Sequence, residues 1–162
     1  MTMTMSAATT VPPGYYASFE SQTRAMTPPP DERKLLDRAD KQALLEAKQQ
    51  IEALALLEEG WNGYDALPPS PASVNRAMQW LDNSYILCKD AGVRWYKPNV
   101  SASAEGEVVF WWVADDRSLN VYIDAGGATF HQSLRDDGLA KHTHGDAPLG
   151  GEQAKLMRWF GE

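Results

Sequence analysis

The chain is 162 residues long, carries a formal net charge of −7 and has a single cysteine, Cys88. A lone cysteine excludes an intrachain disulfide and the zinc motifs built on two thiolates. Its 15 Lys and Arg are scattered with no basic stripe, which counts against a nucleic-acid partner, since phosphate binding needs clustered positive charge.

No apolar run approaches the ~18 residues of a membrane span. The opening MTMTMSAATTVPPG has neither the basic start nor the apolar centre of a signal peptide. The expectation is a cytoplasmic, acidic protein with no membrane association and no cofactor. Residues 1–30 are rich in Thr, Ser, Ala and Pro, end in Pro28-Pro29-Pro30 and show no period, so they read as a disordered tail. Tyr15, Tyr16 and Phe19 form its one dense spot and read as incidental. Residues 31–162 are then expected to form a single domain.

Leu36, Ala43, Leu44, Ala47, Ile51 and Leu54 recur at helical spacing and predict a first helix over residues 31–59. Asp31 is the expected cap, and Gly60 suits the left-handed position past its end. The first half of this helix is rich in charge and alanine, so a homodimer through the first helix is an open alternative. In the connection that follows, Trp61 and Leu67 are expected to plug the end of the core. Ser70-Pro71 is a strong helix start, with Ser at the cap and Pro at the first position. Val74, Ala77, Met78, Leu81, Tyr85 and Cys88 then mark a second helix to about residue 90, with Met78 and Cys88 as core filler.

Residues 99–104 follow as an edge strand. Three apolar runs, 107–114, 119–124 and 128–134, are separated by Asp115-Asp116-Arg117-Ser118 and Gly126-Gly127, the pattern of an antiparallel meander. Alternation puts Val108, Phe110, Trp112, Leu119, Val121, Ile123, Phe130 and Leu134 on a core face. The other face carries Val109, Trp111, Val113, Asn120, Tyr122, Thr129, His131 and Ser133, and is too apolar for a simple solvent face. Two expectations follow: the chain's own tail or the C-terminal helix over 152–160 covers it, or Val109, Trp111, Val113 and Tyr122 bind a partner protein. Residues 135–151 read as a polar loop.

The one constellation resembling a metal or catalytic site is His142, His144 and Asp146, with His131 upstream. Imidazole plus carboxylate suits zinc or a non-haem iron. Asp115-Asp116 and Asp136-Asp137 read as solvated turn charge. No G-x-S-x-G or phosphate-binding glycine loop is present.

Gly60-Trp61-Asn62-Gly63-Tyr64, the Pro-Ser-Pro entry to the second helix and Gly106-Glu107-Val108-Val109-Phe110-Trp111-Trp112 resemble a loosely defined set of small bacterial and phage-borne proteins sharing a GW-x-G, P-S-P and G-E-x4-W pattern. The resemblance spans about residues 57–130. It implies two helices followed by a meander and assigns no activity. By analogy with genes near toxin–antitoxin or phage-defence systems, it favours protein binding. The reading is therefore an α+β domain with two N-terminal helices, a four-stranded antiparallel meander and a short C-terminal helix. Its expected role is a non-enzymatic protein-binding module, as an inhibitor, antitoxin, immunity protein or adaptor. The alternative is a small metal-dependent hydrolase or oxygenase using His131, His142, His144 and Asp146.

Overall fold

A Pro at the first helical position gives up an N–H that has no intrahelical partner anyway, and its fixed φ is already helical. Pro30 and Pro71 both use this, opening α1 (Pro30–Leu54) and α2 (Pro71–Asp90). The computed structural model describes residues 29–162, so the expected tail and its tyrosines lie outside the described residues. Ser70 caps α2, its Oγ accepting from the Ser73 N–H at 3.1 Å.

In α1, Asp31 sits in the first turn, not at the cap. The helix also ends earlier than its sequence period suggests, at Leu54; beyond it Leu56, which lies off the apolar stripe, is 82% exposed, while Leu57 is half-buried in the connection that follows. Gly60 takes φ +76° in the turn that follows, where an added Cβ would meet the Tyr64 carbonyl at 2.9 Å. Trp61 and Leu67 stay largely outside the core, joined by a 3.2 Å bond from the Trp61 Nε1–H to the Leu67 carbonyl. Ala66 and Pro69 are the buried residues of this connection.

The strands are β1 (Asn99–Ala102), β2 (Val108–Val113), β3 (Arg117–Ile123), β4 (Ala128–Asp136) and β5 (Leu139–Asp146), followed by α3 (Glu152–Gly161). They form one antiparallel sheet in the order β1-β2-β3-β4-β5. The sheet thus has five strands, not four, because the expected polar loop contains a hairpin. Asp137 and Gly138 take φ 48° and 79°, the two successive positive values of a type I′ turn, whose twist matches that of the strands it joins.

All three helices pack on one side of the sheet. Ala47 and Ile51 of α1, Val74, Ala77, Trp80, Leu81 and Cys88 of α2, and Leu156 and Met157 of α3 close over Val108, Phe110, Trp112, Leu119, Val121 and Ile123. The buried indoles each find an acceptor: Trp80 Nε1–H donates to the Ala147 carbonyl (3.0 Å), Trp95 to Ser84 Oγ (3.1 Å) and Trp112 to the Tyr96 carbonyl (2.9 Å). Burial pushes the Cys88 thiol up to about 11, so it is core filler, as expected, and a poor nucleophile. Arg117 fastens α3 from the sheet, donating to the Trp159 carbonyl at 2.7 Å with its guanidinium over that ring. The C-terminal helix therefore thickens the core and does not cover the mixed face. No helix among the described residues is long and apolar enough to cross a membrane.

Candidate partner-binding face

Because all helices lie on one side, the other side of the sheet is free of any packed element among the described residues. The register arranges its side chains in rows across the strands. One row runs Ser101, Val109, Tyr122, Thr129, Asp146; the next runs Asn99, Trp111, Asn120, His131, His144; the third runs Val113, Ser118, Ser133, His142. Facing residues in such rows lie about 4.5–5.5 Å apart, so each row is a continuous contact surface.

Val109 is the best protected of the four predicted binding residues, at 8% exposure, flanked in its row by Ser101 and Tyr122. Tyr122 is half-buried, its ring centroid 5.3 Å from that of His131, which in turn lies 6.0 Å from that of His144. Trp111 is 38% exposed and Val113 64%. The structure thus gathers Val109, Trp111 and Tyr122 at the centre of the face and leaves Val113 at its edge, beside the β2–β3 turn. The Asn99 side-chain amide donates to the Trp111 carbonyl at 3.2 Å and pins the backbone there to β1. The Trp111 ring has no hydrogen-bond or aromatic partner among the described residues, unlike the three buried indoles.

Two shallow depressions flank this centre. One of about 420 Å³ lies at the β2–β3 turn between Val113, Asp116, Ser118, Ser133 and Arg135. The other, also about 420 Å³, lies between Asn120, His131, Ser133, His142 and His144. Asp116 is held below its ordinary value by the Arg117 guanidinium, which reaches it at 2.9 and 3.0 Å, so a fixed carboxylate borders the first depression.

Sequence reasoning did not connect His142, His144 and Asp146 to this face, because residues 135–151 read as loop. The signal that would have connected them is Asp137-Gly138, the commonest dipeptide chemistry of a two-residue hairpin. Once β5 is in place, all four proposed metal ligands share one surface but do not converge. His142, His144 and Asp146 alternate along β5, and His131 faces His144 from β4. Among the described residues no group of three or more His, Cys, Asp or Glu is placed to hold a metal ion.

Compared with models of protein families, with curated proteins and with solved structures, the chain matches none.

Proposed function

We propose that this protein is a non-enzymatic binding module that occupies a partner protein through the open sheet face, in the manner of an inhibitor, antitoxin or adaptor. The observation that carries this reading is the Trp111 ring, without hydrogen-bond or aromatic partner among the described residues, standing on a sheet face that no other described element covers, beside Val113, Tyr122 and Val109. Aromatic side chains with little conformational entropy to lose are the anchors from which interfaces draw most of their energy. Asp115, Asp116 and Asp146 border the patch, and with a net charge of −7 they favour a partner with a basic rim and disfavour acidic ones.

The test compares the intact chain with Trp111→Asp in a pull-down from the lysate of its own host, after circular dichroism shows both folded. A protein retained by the intact chain and lost by the variant is the expected result, with affinity falling by at least ~30-fold, the effect of losing a 2 kcal/mol anchor. Retention of the same proteins by both chains would sink the assignment of the face. Global unfolding of the variant would make Trp111 a structural residue.

A further inference from the structure

β5 is held by β4 along one edge, and no strand pairs with its other edge among the described residues. The sheet's opposite edge is managed differently: β1 is four residues long, entered through the buried Pro98, and α1 packs beside it. β5 is eight residues long, and of these only Gly145 is even partly buried. A strand edge of this length presents unpaired N–H and C=O groups, a template for another strand.

Which groups point outward follows from the ladder. The Ala147 N–H bonds the Ala128 carbonyl at 2.8 Å, which makes that facing couple a hydrogen-bonded pair. Hydrogen-bonded and non-hydrogen-bonded pairs alternate in an antiparallel ladder, so Gly145, Thr143 and Lys141 also turn their backbone groups toward β4. Ala140, His142, His144 and Asp146 turn theirs outward, and these same residues carry their side chains on the open face.

We propose that β5 pairs with β5 of a second copy of this chain, antiparallel about His144, joining two sheets into one of ten strands with both open faces on the same side. The occupant is argued from the strand's complementarity to itself. A two-fold axis perpendicular to the sheet keeps face with face, and centred on His144 it sets His142 opposite Asp146 of the second copy, and Asp146 opposite its His142. His144 meets its own counterpart. The outward groups of the three facing couples exchange about six backbone hydrogen bonds. Lys141, held by Asp136 at 2.9 Å on the helix side, falls opposite Ala147 and meets no like charge. Pairing ends where Ala140 meets Pro148, which has no N–H to give. A two-fold about Thr143 would instead set imidazole against imidazole at both His142–His144 couples and forgo the carboxylate pairs.

This inference goes beyond the binding role of the aromatic face and stands apart from it, since Trp111 lies three strands inward from this edge. The test is sedimentation equilibrium on the full chain, with circular dichroism as the folding control. The intact chain is expected to dimerise. His144→Pro, tolerated on an edge whose N–H faces solvent, is expected to raise the dimer dissociation constant at least about tenfold. His142→Asp, which sets carboxylate against carboxylate twice, is expected to weaken the dimer similarly, and His142→Asp combined with Asp146→His to restore it. If the proline variant fails to fold, the charge exchange decides alone. A chain monomeric up to about 1 mM overturns the proposal. So does a dimer indifferent to His144→Pro, which moves the contact to the exposed Leu35 and Leu36 of α1. A double variant no tighter than His142→Asp overturns the register.

Discussion

Trp80 and Trp111 show how one residue type takes two roles. Trp80 is fully buried, tilted against Phe110 and Trp112, with its N–H committed to the Ala147 carbonyl. Trp80→Ala would open a large cavity and orphan that carbonyl, and is expected to cost about 3–5 kcal/mol in urea unfolding. Trp111→Ala is expected to change the same quantity by less than about 1 kcal/mol, because the ring fills no cavity. A large loss at Trp111 would contradict the open face. Lys41 and then Lys89, at 2.8 and 3.2 Å, hold the Asp37 carboxyl below its ordinary value of 3.8. A depressed carboxylate contributes stability in full above its unfolded value and loses it as pH falls through the lowered folded one. Asp37→Asn should therefore be slightly less stable than the parent at neutral pH, with the difference shrinking as pH falls through the lowered folded value, as followed by thermal unfolding.

The elements differ in how plainly they were written. Ser70-Pro71 and the stripe after it define α2 to the residue, since cap, first-turn proline and apolar period agree. β2 was legible through its alternating Val108, Phe110 and Trp112, whereas β3 begins two residues before the expected run, with Arg117 and Ser118 in the strand and not in the turn. β5 was not legible, because Lys141, His142, Thr143 and His144 are polar on both faces and a strand so exposed carries no hydrophobic period. It exists because its turn and its ladder to β4 favour it, and the turn is where it can be broken. Gly138 sits at φ 79°, a conformation that costs an L-residue about 1–2 kcal/mol, so Gly138→Ala should accelerate amide exchange in β5 while leaving α2 protected. The end of α1 was overestimated for the opposite reason: leucines at helical spacing continue to Leu57, beyond the last helical residue, Leu54. For α3 the apolar stripe was visible, but a stripe does not say which side of the sheet the chain turns to.

At the scale of the described residues, placing every helix on one side gives a two-layer domain with one sheet face on which no other described element packs. The candidate site was legible to the extent that alternation separated Val109, Trp111, Val113 and Tyr122 from the core set. Its histidine-bearing half was not, because that half depends on the strand the sequence concealed. The same sequential strand order has a kinetic side. Each strand pairs only with its neighbours in the chain, so the sheet can close by successive hairpins without paying the entropy of a long loop. The contacts that span most of the sequence are those of α2 on α3, of α1 on β1 and of the α2 indole Trp80 on Ala147. Loop-closure entropy therefore favours pairing of the meander ahead of helix docking, an order in which the aromatic face would be assembled before the core behind it is sealed.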